Sequence, residues 1–480
     1  MVHRRFLLFL AFLIIVLSWG GIAAARVGLV IRPLESSGVP LLYVAPQNFG
    51  RKLPGVLIAH GFAGSKQLML GYAHVLAHGG YAVMLWDFEG HGANPGALAS
   101  GLQQNLNTAY AALLEQPEVD PSRLALLGHS MGSGAVMAAG IRHPDRFAAT
   151  IAVSPTGAAV TPQAPHNLLL QAGSWEGRFV TNAQRLLQAA GGPSKNLSRG
   201  EGRALVIVPK AEHITILFRD ASHQAALKWL NATFNQSGPD TYVDRRMLGY
   251  SLHLLGWLGV LGVVASRRVP ATKHWVKGHP LRPWGGLIFA PLIATAGLVF
   301  ISLGTELRNL GGLLVGGALG LWFLIAGLVW LGMLFPVPRP TLRQIGLGIA
   351  LFGLLWVAFG AMAQVTWLQW WLIPARLKLW PLLSLACFPW FLASGMVQQR
   401  GKVSRRFLWW LGQSTALVVG LFLTIYLLPQ LGFIFLLLPL FPLITAVLAV
   451  VAAQFNEAWS YAVGSALFFG WIIAAAFPLA

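Results

Sequence analysis

Residues 123–134 read Arg-Leu-Ala-Leu-Leu-Gly-His-Ser-Met-Gly-Ser-Gly. The apolar run 123–127 reads as a buried strand, and a helical pattern begins at Met131. Between them lies Gly128-His129-Ser130-Met131-Gly132, a G-x-S-x-G pattern. A strand-to-helix turn this sharp has no room for side chains beside its central residue, and Gly128 and Gly132 supply that space. The turn exposes the Ser130 hydroxyl at a helix N-terminus, where the backbone dipole favours negative charge. Alone, G-x-S-x-G is a weak signal; between a strand and a helix it is a specific one.

Outward from this turn the same rhythm repeats. PGVLIAHGF (54–62), YAVMLWDFEGHG (81–92), FAATIAVSP (147–155), NLLLQAGSWE (167–176) and RALVIVPKAEH (203–213) are apolar runs ending in turn residues. Helical patterns fall at about 66–78, 101–115, 131–141, 181–190 and 221–234. Alternation of this kind predicts a mostly parallel sheet with helices on both faces, with reactive groups at the carboxyl ends of the strands.

Four motifs carry a family resemblance: HGFAGSK at 60–66, DFEGHG at 87–92, GHSMG at 128–132 and AEHITIL at 211–217. In order and spacing, residues ~27–235 resemble the α/β-hydrolase superfamily, in its monoglyceride-lipase or serine-aminopeptidase-like branch. The resemblance implies Ser130 as nucleophile and His213, after the last strand, as its base. His60 then orders the oxyanion loop, and His129 points away from the nucleophile.

The acid should fall between Ser130 and His213 in the chain. Asp145, Glu176, Glu201 and Glu212 are the acids there. Asp145 and Glu201 precede strands, at the wrong end of the sheet, and Glu212 is too close to His213 to turn back on its ring. Glu176 directly follows the strand 167–172, so it is the expected third member, where the family usually has Asp. By the same resemblance the oxyanion hole is formed by the backbone N–H groups of Met131 and Phe62. Many relatives insert a helical lid where this chain has only Pro155–His166, so no large lid is expected. No cofactor and no metal are implied: no His/Cys/Asp cluster has ligand spacing, and neither a phosphate-binding loop nor a dinucleotide fingerprint occurs.

The rest of the chain is a different material. Overall 56% of residues are hydrophobic and 10% charged, whereas a soluble protein has about 25% charged residues, so a soluble enzyme along the whole length is excluded. Residues 1–25 place Arg4 and Arg5 before an uncharged apolar stretch, and end in Ala23-Ala24-Ala25. They read as a signal anchor or a signal peptide; the length of the stretch favours the anchor. Residues 26–240 form the hydrolase domain, and 246–480 an all-α membrane domain. Its eight apolar segments lie near 247–265, 284–303, 310–335, 344–363, 379–397, 407–428, 431–452 and 458–478, giving about nine membrane helices in all. The lone Cys387 cannot form a disulfide within the chain.

The net charge of +19 follows this division. Residues 26–240 carry 16 basic and 12 acidic side chains, the remainder 18 and 3. With the N-terminus inside, thirteen Lys and Arg fall in cytoplasmic segments (Arg4 and Arg5; Arg267, Arg268, Lys273, Lys277 and Arg282; Arg339 and Arg343; Arg400, Lys402, Arg405 and Arg406) and three, Arg308, Arg376 and Lys378, in short outer loops. The positive charge thus records topology and does not point to nucleic acid. The hydrolase domain is expected outside the cytoplasm, a bacterial inner membrane with a periplasmic domain being preferred.

Ionisable residues are nearly absent from the spans, which argues against ion-coupled transport. The expected activity is a membrane-anchored serine hydrolase cleaving acyl esters or related carboxylic derivatives, with small or lipid-like acyl substrates and membrane lipids as partners. The alternatives are an acyltransferase or peptidase using the same triad, and a non-catalytic transporter or assembly protein with a hydrolase-like domain. The oligomeric state is open.

Overall fold

The computed structural model describes residues 2–97, 101–236, 241–264, 281–399, 402–455 and 457–480. They divide into two compact units, one of residues 17–252 with 362–371, the other of 1–16, 253–361 and 372–480.

The first unit is built on eight strands: β1 (Leu29–Ser36), β2 (Val39–Pro46), β3 (Leu53–Ala59), β4 (Ala82–Trp86), β5 (Val119–His129), β6 (Ala149–Val153), β7 (Leu168–Gly173) and β8 (Arg203–Val208). Their order is β1-β2-β4-β3-β5-β6-β7-β8. From β4 to β8 all pairs are parallel, while β1 and β2 form an antiparallel hairpin on β4. The parallel strands are the apolar runs expected from the sequence. The hairpin is an addition to that expectation.

Helices cross over between the strands. The chain enters by α1 (Val2–Ala24), and α2 (Leu70–His78), α3 (Leu102–Leu114), α4 (Met131–Arg142), α5 (Gly177–Ala189) and α6 (Asp220–Phe234) follow. Successive residues of a strand point to opposite faces, which divides the core in two. Val56, Ile58, Val83, Leu85 and Leu127 pack with Tyr72 of α2 and Leu227 of α6. Leu57, Ala59, Met84, Trp86 and Leu126 pack with Leu106 and Leu113 of α3 and Val136 of α4. Burying each aliphatic or aromatic side chain of this kind is worth ~1.5–3 kcal/mol. The parallel strands are therefore apolar on both sides, and no period-2 alternation shows in their sequence.

The second unit is helical. Seven helices among the described residues are long and apolar enough to cross a membrane, and eight if a bent pair, Pro429–Leu437 with Leu440–Gln454, is one span. The expected count of about nine included 247–265, which forms α7 (Arg246–Val264) but is not among these candidates. The 53° bend in the expected segment 431–452 falls at Leu438-Pro439, where proline removes a backbone donor. Arg267, Arg268, Lys273, Lys277 and Arg400, assigned to cytoplasmic loops, lie outside the described residues.

Small residues bring these helices together. A methyl group on Gly327 would stand 2.3 Å from the Trp390 nitrogen, and one on Gly470 2.4 Å from Ser384 Oγ. Thr295 and Thr424 share a hydrogen bond of 2.7 Å, and Ser414 and Thr445 one of 3.0 Å. These polar groups satisfy one another within the helix packing. Arg376, expected as an outer-loop charge, is buried. Its guanidinium donates to the carbonyls of Ala474 and Phe477, both at 2.6 Å, and so caps the end of the last helix.

Candidate active site

Ser130 follows β5, the strand between β3 and β6, and heads α4. Its backbone is left-handed, with φ +51° and ψ −118°, a strained conformation for a side-chain-bearing residue. The neighbouring glycines are required by contact. A methyl group on Gly128 would lie 2.3 Å from the Gly132 carbonyl oxygen, and one on Gly132 2.5 Å from that of His60. The space inferred from the sequence is therefore real backbone-to-backbone contact.

Three side chains that the sequence spreads over 83 residues meet at this edge. The Ser130 hydroxyl lies 3.0 Å from His213 Nε2. His213 Nδ1 lies 2.7 Å from Glu176 Oε1. The other carboxylate oxygen of Glu176 accepts the Gly173 N–H at 2.6 Å and the Ser154 hydroxyl at 2.9 Å. His213 and Glu176 are both largely buried. Gly173 permits the arrangement, because a methyl group there would meet the Ala211 carbonyl oxygen at 2.3 Å. With Nδ1–H held by a carboxylate, Nε2 is the free base facing the hydroxyl.

The histidine is also held from its backbone and its face. His129 Nε2 donates to the His213 carbonyl oxygen at 2.9 Å. Burial, and next the nearby His213, hold the His129 ring well below the ordinary histidine range, so it is neutral. The ring of His129, expected to point away from Ser130, thus packs against the loop of His213, with ring centroids 4.7 Å apart. The Phe179 ring, from the first turn of α5, stacks on the His213 imidazole with centroids 4.4 Å apart. Neither residue, nor Ser154, was among the sequence-derived site residues. Their roles depend on contacts across the sheet edge that no local pattern encodes.

Phe62, expected with Met131 to meet an oxyanion, lies on the loop after β3. Met131 is the first residue of α4. Gly61, before Phe62, is so close that a methyl group on it would lie 3.1 Å from Ser130 Cβ. His60 ties this loop down, with Nδ1 donating to the Gly61 carbonyl oxygen at 2.8 Å and Nε2 accepting the Phe88 N–H at 3.1 Å. Burial lowers its pKa despite the opposing Asp87 charge, as Nε2 accepting a hydrogen bond requires.

Asp87 joins the two motif loops. Its carboxylate pairs with Lys66 Nζ in the interior and accepts the backbone N–H groups of Lys66 at 2.7 Å and Ala93 at 2.9 Å. Burial opposes its ionisation, but the Lys66 charge and the hydrogen bonds from Lys66 outweigh that and hold the carboxyl below the usual range. A lowered folded-state pKa contributes stability above about pH 4 that is lost as pH falls through the lower value. Asp87→Asn leaves the Lys66 ammonium buried and unpaired. It is expected to destabilise the domain by about 3–5 kcal/mol, read as a lower thermal midpoint of the solubilised protein at pH 7, with the difference from wild type shrinking as the pH is taken to 3.

The connection 155–166 contains no helix. Among the described residues no group of three or more His, Cys, Asp or Glu is arranged to hold a metal ion.

Residues 52–228 match the family model described as serine aminopeptidase, S33. With the sheet order and the strand–turn–helix at Ser130, this defines the class: the chain carries an α/β-hydrolase domain. An uncharacterized protein of Mycobacterium tuberculosis (strain ATCC 25618 / H37Rv) is 33% identical over 100 residues, 21% of this chain and 36% of that one. The chain thus spans about a third of the length of the relatives it matches. Among solved structures, TT1662 from Thermus thermophilus has 18% identity and a TM-score of 0.34, over 42% of this chain and 97% of that one. A membrane phospholipase A, described as a bacterial virulence factor, has 17% identity and a TM-score of 0.34, over 48% and 99%.

Proposed function

We propose that the protein is a membrane-anchored serine hydrolase that cleaves acyl esters or related carboxylic derivatives on the outer face of the membrane. The observation that supports this reading is the hydrogen-bonded series Ser130–His213–Glu176. Ser130 Oγ attacks the acyl carbonyl carbon while its proton passes to His213 Nε2. Negative charge develops on the carbonyl oxygen and is met by the N–H groups of Met131 and Phe62. The imidazolium, steadied by Glu176, gives its proton to the departing alkoxide, which leaves an acyl group on Ser130. His213 then deprotonates a water molecule, which releases the acid and restores the serine.

The test is active-site labelling. A fluorophosphonate probe should modify wild-type protein at Ser130, located by peptide mass spectrometry. Absence of that adduct in folded protein overturns the reading. Because the matching family is described as aminopeptidases, amide substrates belong in the panel beside acyl esters, and acceptor alcohols separate transfer from hydrolysis.

The anchor reading of residues 1–25 has support of its own. His74 Nδ1 and His78 Nε2, on α2, both donate to the carbonyl oxygen of Ala25, at 3.2 and 3.1 Å. Cleavage after Ala25 would remove the acceptor of both bonds. The intact mass of protein purified from membranes is accordingly expected to include residues 1–25; a mature N-terminus at Arg26 would reverse the assignment. Outer-face placement rests on the excess of Lys and Arg in the loops assigned to the cytoplasm. A cysteine-accessibility experiment on exposed positions of the hydrolase domain checks it.

A further inference from the structure

A second site lies in the same unit as the triad but is not lined by Ser130, Glu176 or His213. It is a cavity of about 330 Å³. One wall is apolar, with Ile22, Ile31, Leu42, Leu70 and Val365. The other is polar, and no carboxylate lines it. Of its three cations, Lys66 is paired with Asp87 and Arg246 with Asp244. Among the described residues, the third, Arg26, has no carboxylate at ion-pair distance, and it is exposed.

The polar wall holds an unmet acceptor. Gln67 is 6% exposed, and its Nε2 donates to Gln369 Oε1 at 2.6 Å. Its Oε1 is buried with no hydrogen-bond partner. An unsatisfied buried oxygen is costly, so a group in this cavity that offers an N–H or O–H would be stabilised there.

The cavity's place along the chain indicates what could supply both groups. Ile22 is in the last turn of α1, and Val365 is in the last turn of the helix Leu342–Thr366; both helices are candidate spans. Trp367, partly exposed, and Trp371, 57% exposed, follow directly, and tryptophan concentrates at the depth of lipid headgroups. A ligand with an apolar body, an anion and a donor beyond the anion fits this lining.

We propose that the cavity binds a glycerophospholipid whose headgroup bears a hydrogen-bond donor. Its phosphate meets Arg26, its headgroup ammonium or hydroxyl meets Gln67 Oε1, and its hydrocarbon lies on the apolar wall. The site is independent of Ser130 and of any catalytic use of the lipid.

The experiment uses full-length protein reconstituted in nanodiscs of palmitoyl-oleoyl phosphatidylethanolamine, phosphatidylglycerol or phosphatidylcholine. The protein is then extracted in detergent, and retained lipid is quantified by mass spectrometry. Phosphatidylethanolamine and phosphatidylglycerol are expected to remain bound at about one per chain, and phosphatidylcholine, which has no headgroup donor, roughly tenfold less. Arg26→Gln should lower retention of the two donor lipids by on the order of tenfold. Gln67→Met should bring the three lipids to near parity. Ile31→Trp, filling the cavity from the edge strand, should expel lipid while the protein stays folded by thermal midpoint. Equal retention of all three lipids by wild type, or unchanged retention in Arg26→Gln and Ile31→Trp, overturns the proposal. So does displacement by an equal concentration of soluble glycerophosphoethanolamine. Fluorophosphonate labelling of the same preparation reads the hydrolase proposal separately.

Discussion

Ser130→Ala is expected to lower kcat for an activated acyl ester by on the order of 10⁶-fold and to abolish fluorophosphonate labelling. The size of the effect follows from covalent catalysis: without Oγ there is no acyl-enzyme, and His213 loses the proton it is positioned to accept. What remains is the contribution of binding and of backbone donors at the oxyanion site, on the order of 10³-fold over water. The substitution removes one half-buried oxygen whose hydrogen bond is to His213 Nε2. The thermal midpoint should therefore change little, and the loss can be read as chemistry. Ester hydrolysis within a hundredfold of wild type would mean that another group is the nucleophile.

Glu176→Gln is the second large effect, with kcat expected to fall on the order of 10⁴-fold and KM little altered. The carboxylate accepts three donors: His213 Nδ1–H on one oxygen, and the Gly173 N–H and Ser154 hydroxyl on the other. An amide has one acceptor oxygen. Two donors fix that oxygen toward Gly173 and Ser154, which turns the amide NH₂ toward His213 Nδ1. The imidazole must then accept at Nδ1 and carry its proton on Nε2, the tautomer that cannot take the Ser130 proton. The diagnostic is a steady-state comparison at pH 7 together with the thermal midpoint. Activity within tenfold of wild type in a folded variant would remove Glu176 from the role.

The parallel strands could be read from sequence because burial on both faces makes them continuous apolar runs, each ending in a turn. The β1–β2 hairpin escaped this reading: β1 is the edge strand and only partly buried, and β2, though mostly buried, is a short run with a proline near each end. Its signal is the Ser37-Gly38 pair, both with positive φ, between two short runs. Chain order left four acids, and only position relative to the predicted strands and distance from His213 along the chain singled out Glu176. No comparable rule reaches Ser154, His129, Phe179 or the Lys66–Asp87 pair, because each acts on a partner brought close only by the fold.

The membrane half divides similarly. Hydropathy located the long apolar helices, since length and apolar content are properties of a segment alone. It read the bent pair at Leu438-Pro439 as one unbroken stretch, and it gave Arg376 only as an outer-loop charge, with no sign that this side chain is buried and caps the last helix. It also gave no sign that residues 362–371 join the hydrolase unit, where Gln369 meets Gln67.

The sequence by itself determined the two kinds of material in this chain, the strand–turn–helix at Ser130 and the three side chains proposed for catalysis. These follow from local composition, backbone sterics and order along the chain. The tertiary structure alone decided how the imidazole is held, what Asp87 neutralises, and that Arg26 and Gln67 line one cavity. Each of these is a matter of distance between residues far apart in sequence, and burial turns such distances into energy by removing the water that would otherwise satisfy the groups.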